Sequence, residues 1–182
     1  ITEQERNIVA LRKSEERFQL AAEGSSAGIW DWDISSGELY YSLRFKQLLG
    51  YRDDEFPNVF SSFSDSLHPD DKAQFEFALK EHFCSNKPYD TEFRLRTKSG
   101  QYRWFNARGD ALRDDSGEPY RMAGSTIDIT DQKEIEQDLR NIRAQQRRLI
   151  DQLEKEKSRL SEAQAVAKIG SWETDLGTMR VF

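Results

Sequence analysis

The stretch from Thr130 to Ala167 constrains this chain most, because it contains no aromatic residue, no glycine and no proline. It is rich in Glu, Lys, Arg, Gln and Leu, which are good helix formers, so it predicts one long helix. Its apolar residues recur at intervals that alternate between four and three, at Ile135, Leu139, Ile142, Leu149, Leu153, Leu160, Ala163 and Ala167. Gln146 and Glu156 fill the two gaps in this heptad pattern.

The heptad pattern has two interpretations. The helix could lie on a globular surface, or two copies could pair as a coiled coil. The other faces of the helix are almost entirely charged or amide, which favours the coiled coil. We therefore predict a homodimer whose seam contains Ile135, Leu139, Ile142, Leu149, Leu153 and Leu160.

Charge and cysteine content limit the partners and the compartment. The net charge of -6 argues against nucleic acid as the main partner, because phosphate binding needs a basic face. The single cysteine, Cys84, excludes an internal disulfide and suits a reducing cytoplasm. No apolar run approaches the roughly 18 residues that span a bilayer, and no signal peptide is visible. We expect a cytoplasmic piece of a longer protein, without direct membrane contact of its own; membrane anchoring of the parent stays open.

The aromatic residues concentrate between Phe18 and Tyr120, where the patterns of helix and strand are mixed. A first helix runs to about Glu23, with its apolar side at Ile1, Ile8, Leu11, Phe18 and Ala22. Two strands follow, over 28–34 and 38–41, and then short helices, of which the longest opens at His68-Pro69-Asp70-Asp71. Three further strands cover 89–97, 101–113 and 118–129. This order predicts an α+β fold, with an antiparallel sheet and its helices grouped in the middle.

A short repeat divides the chain. Gly28-x-Trp30-x-x-Asp33 recurs 142 positions later as Gly170-x-Trp172-x-x-Asp175, each time after an alanine-rich helical stretch. We interpret the last residues as the start of a second copy of the domain. The predicted division is a linker helix over 1–23, an α+β domain over 24–130, a coiled-coil helix over 131–162 and the second copy over 163–182.

An ordered set of motifs resembles the PAS family in its PAS-plus-PAC, PAS fold-3 form, which occurs in tandem in bacterial sensor histidine kinases and diguanylate cyclases. The motifs are Ser14-Glu15-Glu16-Arg17-Phe18, Gly28-Ile29-Trp30-Asp31-Trp32-Asp33, Leu48-Leu49-Gly50-Tyr51, His68-Pro69-Asp70-Asp71, Tyr89-Asp90-Thr91-Glu92-Phe93-Arg94, Gly100-Gln101-Tyr102-Arg103-Trp104, Gly117-Glu118-Pro119, Gly124 and Asp128-Ile129-Thr130-Asp131. The resemblance implies a five-stranded antiparallel sheet with short helices on one face and a pocket between them. It also implies signalling through flanking N- and C-terminal coiled-coil helices.

On this resemblance we expect a sensory and dimerisation module that couples a small-molecule or redox cue to a downstream output domain. That domain would be a histidine kinase or a diguanylate cyclase, and the sequence does not choose between them. The alternative is a ligand-free scaffold that only pairs and spaces subunits. An enzyme is disfavoured, because the chain shows no nucleophile, metal cluster or phosphate-binding loop.

Alternation along the strands predicts the pocket lining. One face would present Trp30, Trp32, Phe93, Leu95, Trp104, Asn106 and Met122, and the helices would add Phe45, Leu48, Phe75 and Leu79. This lining suits a small apolar or aromatic metabolite, with Asn106 as an orienting polar group. A core filled by its own side chains is the other interpretation.

We assign no catalytic or metal-binding residue. Gly24-Ser25-Ser26-Ala27-Gly28 matches a nucleophile elbow, but a helix precedes it and a strand follows, which is the reverse of the required order. Asp31 and Asp33 share a strand face, and we expect Asp33 to cap the hairpin turn while Asp31 faces water. His68 is expected to cap or pack at its helix start, and His82 to be solvated.

These positions do not identify a cofactor, and we expect that none is required. A solvated His82 disfavours haem, and Cys84 with one nearby histidine cannot build a structural metal site. The flavin-bonding cysteine signature of light-sensing relatives is not visible, which disfavours flavin.

The segment Asp128-Ile129-Thr130 ends the last strand and begins the exit helix. Thr130 or Asp131 can cap this helix, with Glu134 in a capping-box position. The family resemblance implies that Asp128 fixes the helix to the domain by pairing with a cation, for which we expect Lys133. Asp128, Ile129, Thr130 and Lys133 are therefore the predicted signal-transfer residues.

Overall fold

The computed structural model describes residues 3–24, 26–85, 87–167, 174–175 and 180–181, and the chain forms two units, Ile1–Lys133 and Glu134–Phe182. In the first unit the helices are α1 (Glu3–Gly24), α2 (Leu43–Leu48), α3 (Phe60–Ser64) and α4 (Lys72–Ser85), with 3-10 turns at Asp53–Glu55 and Pro69–Asp71. Its strands are β1 (Gly28–Asp33), β2 (Leu39–Tyr41), β3 (Tyr89–Arg96), β4 (Tyr102–Arg113) and β5 (Pro119–Asp128). Helix α5 (Thr130–Ala167) follows β5, and β6 (Thr174–Asp175) and β7 (Arg180–Val181) belong to the second unit.

The five strands of the first unit form one antiparallel sheet in the order β2-β1-β5-β4-β3. The first and last strands of the chain order thus become neighbours: Trp30 pairs with Gly124 and Trp32 with Met122. The predicted α+β class, with a five-stranded antiparallel sheet and grouped helices, is confirmed. The long helix predicted from the heptads is also present.

Local turn chemistry explains why the hairpins form. After β1 the carboxylate of Asp33 accepts a hydrogen bond from the Ser36 amide at 2.8 Å, so the predicted cap is confirmed. Gly37 follows with a φ of 78°, a left-handed conformation that glycine adopts without strain. Asp31 is half-buried and paired with Arg121 at 2.6 Å, and is therefore less solvated than expected.

Side chains that accept hydrogen bonds from the first backbone amides cap the starts of two helical segments. Ser42 accepts a hydrogen bond from the Phe45 amide and starts α2. His68 accepts one from the Asp70 amide at 3.2 Å and packs against the ring of Tyr102, so the expected capping role is confirmed. Helix α1 precedes β1 as expected, which gives the helix-before-strand order that excludes a nucleophile elbow.

The core lies between one face of the sheet, which we call the inner face, and helices α2 to α4. Its most deeply buried members include Phe45, Leu49, Phe93, Leu95, Phe105 and Met122. Among the described residues, no helix combines the length and the apolar character needed to cross a bilayer.

Some predictions lie outside what the structure describes. They are the position of Ile1, the side chains of Leu11, Phe18 and Ala22 on α1, and Gly170 and Trp172 of the repeat. A coiled coil formed by α1 stays a prediction. In the second unit, the seam residues on α5 are exposed within one chain, and β6 pairs with β7 through Thr174–Val181 and Asp175–Arg180.

Candidate functional site

A cavity of about 60 Å³ lies in the core between the inner face of the sheet and the helices. Seven predicted pocket residues line it: Trp30, Trp32, Phe45, Phe75, Leu79, Phe93 and Met122. Seven others were missed by the sequence reasoning: Leu39, Tyr41, Phe60, Phe63, Tyr89, Ala107 and Thr126. Most of the missed residues follow the same inward alternation on the strands, which could have found them.

Trp30 forms the wall of the cavity on the sheet side. Its ring lies against two paired glycines of β4 and β5: a Cβ at Gly124 would fall 2.3 Å from the Trp30 ring, and one at Gly109 would fall 2.6 Å from it. Glycine at both positions therefore leaves the space that the indole occupies. The same ring meets Tyr89 edge-on, with centroids 6.2 Å apart.

A stack of aromatic rings closes the side of the cavity nearest the solvent. Trp32 stacks on Phe60 at a centroid distance of 5.8 Å and tilts against Phe83 at 6.2 Å. Phe60 is 42% exposed although its ring also lines the cavity. The stack of Trp32 and Phe60 is therefore the mouth of the cavity.

The lining carries no charged side chain among the described residues. Two phenols, Tyr41 and Tyr89, reach the cavity, and burial raises the pKa of each well above the ordinary tyrosine value. Both are therefore neutral at physiological pH. The walls therefore offer a ligand no charge and almost no polar surface.

The structure corrects the predicted phase of β4. Phe105 and Ala107 face the core, while Trp104 and Asn106 lie on the opposite face, which we call the outer face. Trp104 is held there by two cations: the Arg94 guanidinium lies 5.1 Å and the Lys133 ammonium 5.4 Å from its ring centroid.

Asn106 cannot orient a ligand in the cavity. Its amide donates to the Asp90 carboxylate at 2.7 Å on the outer face, which satisfies the group within the protein. Two further predicted residues also lie outside the lining. Leu95 is fully buried and bridges to Leu67, and Leu48 packs against the core from α2.

His82 is also corrected, because it is 1% exposed rather than solvated. Its Nδ1 donates to the Lys87 carbonyl, and its Nε2 has no hydrogen-bond partner among the described residues, with Asp110 at 3.7 Å. Arg113 donates to the carbonyls of His82 and Phe83 and holds the end of α4 against the sheet. Within the described ranges, no group of three metal-ligating side chains is present.

The start of α5 is tied to β4 by a set of hydrogen bonds. Asp128 accepts from the Thr130 amide at 2.9 Å and so caps the helix from a position earlier than expected. Thr130 in turn accepts from the Trp104 amide at 3.0 Å, and the Ile129 amide donates to the Trp104 carbonyl at 2.9 Å. Asp128 of β5 and Trp104 of β4 therefore fix the first turn.

The cation against Asp128 is Arg103, at 3.0 Å, where we expected Lys133. Arg103 neighbours Asp128 across the sheet, because it precedes the residues of β4 that pair with the end of β5. Lys133 instead reaches back to the carboxylate of Glu92 on β3 and to the ring of Trp104.

Comparisons with known proteins agree on one family. The model of the PAS fold family matches residues 38–126. A crystal structure of a sensory box histidine kinase/response regulator from Burkholderia thailandensis is 48% identical with a TM-score of 0.65, over 72% of this chain and 98% of that one.

Two curated relatives match more than two thirds of this chain. Sensor protein FixL of Bradyrhizobium diazoefficiens is 32% identical over 69% of this chain and 25% of its own length. A blue-light-activated histidine kinase of Brucella anthropi is 28% identical over 75% of this chain and 27% of its own length. The chain thus spans about a quarter of the length of these relatives. It belongs to the PAS family, whose domains are sensory modules of signalling proteins and not enzymes.

Proposed function

We propose that this chain is a cytoplasmic sensory and dimerisation module that couples a small-molecule or redox cue in its cavity to an output domain through α5. The observation that carries the proposal is the path of β5. Met122 and Thr126 line the cavity, and Asp128, two residues after Thr126, caps the first turn of α5. A shift of the cavity wall along β5 therefore acts directly on the residues that hold the helix.

A second path runs through β3 and β4. Phe93 lines the cavity and pairs across the sheet with Phe105. The next residue in β4, Trp104, exchanges hydrogen bonds with Thr130 and Ile129. Because the two paths meet at the same turn, a small sliding of β4 against β5 would change the direction in which α5 leaves the sheet.

Dimerisation is supported by the seam residues of α5. Ile135, Leu139, Leu153 and Leu160 are all exposed within one chain, on a helix whose other faces are mostly charged or amide. A second copy that packs on this seam would bury them in the manner of a coiled coil. Gln146 and Glu156 would form polar layers that help to set the register.

We propose four segments: a linker helix over 1–23, a PAS sensory domain over 24–130, a coiled-coil helix over 131–162 and the start of a second PAS domain over 163–182. The register of β6 and β7 supports a second PAS domain in the last segment. Trp32 pairs with Leu39 in the first hairpin, and the residues 142 positions later, Thr174 and Val181, pair in the second. A repeat in both sequence and pairing favours a duplicated domain over chance.

For the whole protein we propose a histidine kinase or a diguanylate cyclase as the output. The named relatives include histidine kinases and a probable diguanylate cyclase from Escherichia coli that is 27% identical over 68% of this chain. α5 would be the connection to that output domain or to the next sensory domain.

A scaffold without a ligand is the second candidate. The small volume of the cavity, about 60 Å³, favours it, because small-molecule sites are usually several times larger, at roughly 300–1,000 Å³. In that case the domain would pair and space subunits without sensing a cue.

The dimer is tested by light scattering on a matched pair of double variants. Leu139→Asp with Leu153→Asp places like charges in the seam and should give monomers. Ala144→Asp with Ser158→Asp adds the same charges, at the same spacing, on the opposite side of α5 and should leave the dimer intact. A dimer that survives the seam variant would show that another surface holds the pair.

The coupling is tested by the rate of disulfide cross-linking at a cysteine introduced at Leu139, in a Cys84→Ser background. Ala107→Val intrudes into the cavity, whereas Ala123→Val makes the same change on the outer face. We expect the first variant to change the cross-linking rate and the second to leave it unchanged. Equal rates in both would favour the scaffold.

A further inference from the structure

We propose that the cavity takes a small, uncharged, apolar molecule of only a few heavy atoms, such as a dissolved gas or a short hydrocarbon. The inference rests on the proposed sensory function and names the ligand class of the same cavity. It follows from three properties of the described lining: its lack of charge, its volume and the direction in which it can expand.

The chemistry of the lining excludes a charged ligand. Polar atoms come only from Tyr41, Tyr89, Thr126 and two indoles among the described residues that line the cavity. A carboxylate, phosphate or ammonium group would lose its hydration there without meeting a charge of opposite sign. Water is disfavoured for a related reason, since a buried water needs two to four polar partners and the walls are almost wholly apolar. The cavity is therefore suited to a dry, apolar occupant.

The volume sets the upper limit of size. An apolar cavity of about 150 Å³ stays dry and accommodates benzene or xenon. The cavity in this protein measures about 60 Å³, which is less than half of that. An atom or molecule the size of xenon or dioxygen fits, but a six-membered ring does not fit without movement of the walls.

The sheet side of the cavity cannot give way to a larger ligand. The Trp30 ring already touches the backbone at Gly109 and Gly124, which leaves no space behind it. Expansion would have to displace the stacked pair of Trp32 and Phe60 at the mouth. A planar cofactor with several fused rings would therefore need this stack to open and the wall beyond it to rearrange.

The test uses xenon as the probe, with methyl resonances of Leu39, Leu79 and Met122 recorded by NMR on the full chain under increasing xenon pressure. We expect a saturable shift of these methyls in the wild type and in Ala123→Val, and loss of the shift in Ala107→Val. Leu79→Phe fills the cavity from the helix side and should also lose the shift. Because the two filling variants change different elements, loss of the shift in both would not be explained by misfolding of one of them. Thr126→Val keeps the volume and should bind xenon at least as well as the wild type.

Two results would overturn the proposal. One is the absence of a saturable xenon shift in the wild type, or an equal shift in both filling variants. The other is saturable binding of benzene or of acetate, which would remove the limit on size or on charge. The outcome is distinct from that of the cross-linking experiment. Xenon binding with unchanged cross-linking rates would retain the ligand class and reject the coupling. Changed cross-linking rates without xenon binding would retain the coupling and reject the ligand class.

Discussion

The two faces of the sheet are stabilised by different interactions, apolar burial on the inner face and ion pairs on the outer face. The inner face presents Phe93, Phe105 and Met122, each no more than 2% exposed, to the helices. The outer face is covered with ion pairs, such as Asp31 with Arg121 at 2.6 Å and Asp90 with Arg108 at 2.9 Å. Burial of apolar area stabilises the inner face, whereas the outer face depends on charges that are partly screened by water.

The difference separates folding from signalling. Loss of a buried aromatic side chain costs several times more free energy than loss of a surface ion pair. The start of α5 is nevertheless held by polar groups at the end of the sheet, through Arg103 with Asp128 and through Lys133 with Trp104 of the outer face. The buried inner face therefore decides whether the domain folds, and these polar contacts decide how the exit helix is held.

The largest expected effect is on the inner face. Phe93 meets Phe63 edge-on at 5.4 Å and Phe75 at 5.9 Å. Phe93→Ala should lower the free energy of unfolding by about 3–5 kcal/mol, because it leaves a cavity in the core. Phe77→Ala is the matched control, since Phe77 is 59% exposed on α4. Similar losses in urea unfolding of the two variants would contradict the contrast between a stabilising inner face and a solvated surface.

The next effect concerns the ion pair between Arg94 of β3 and Asp71 of the 3-10 turn before α4. Asp71 accepts three hydrogen bonds from Arg94, one from its amide at 2.8 Å and two from its guanidinium at 2.9 and 2.6 Å. Asp71→Asn should cost about 1.5–3 kcal/mol, the range for hydrogen bonds to a charged group. Asp70→Asn is the control, because Asp70 is exposed and 3.7 Å from the same guanidinium.

The same carboxylate predicts a dependence on pH. Burial tends to raise the pKa of Asp71, but the hydrogen bonds and charge of Arg94 outweigh it and hold that pKa below the ordinary value of 3.8. Its contribution to stability is therefore complete above pH 3.8 and is lost as the pH falls through the lower, folded-state pKa. Urea unfolding at decreasing pH should show a steeper loss in the wild type than in Asp71→Asn. Parallel curves would contradict this assignment.

A smaller effect is expected where polar groups at the end of the sheet hold the start of α5. Asp128→Ala removes the carboxylate that caps Thr130 and pairs with Arg103, and should cost about 1 kcal/mol. Asp131→Ala, in the first turn of the same helix, should cost less, because it loses only a favourable interaction with the helix dipole. Amide exchange at Thr130 should accelerate in the first variant alone. Equal acceleration in both would mean that Asp128 is not the cap.

Local patterns were enough to predict most of the fold. The turns carry their own chemistry, as Asp33 and Gly37 do, and so the order of strands and helices followed from the sequence. On β1, β3 and β5 a single phase of alternation places the large apolar residues together, and four predicted residues of these strands line the cavity.

The wrong predictions concern side chains whose position depends on residues that are distant in the sequence. Trp104 and Phe105 are adjacent, so either phase of β4 puts an aromatic ring inside, and the choice depends on Arg94 and Lys133 from other elements. His82 is buried at the end of α4, whose carbonyls Arg113 binds from 31 positions later. Arg103 reaches Asp128 because of strand pairing, which a sequence pattern does not display. Local signals therefore predict the elements, and contacts between elements settle the side-chain roles.

The smallest expected effect sharpens the contrast between the faces. Arg108 donates to the Asp90 carboxylate at 2.9 Å, and both side chains are well exposed. Arg108→Gln should lower the free energy of unfolding by about 1 kcal/mol or less, as for other surface pairs. The difference from the wild type should vanish near 1 M salt, where the screening length falls to about 3 Å. A loss that persists at high salt would show that Arg108 stabilises the outer face by packing rather than by charge, and the division between the two faces would then be less sharp than the ion pairs suggest.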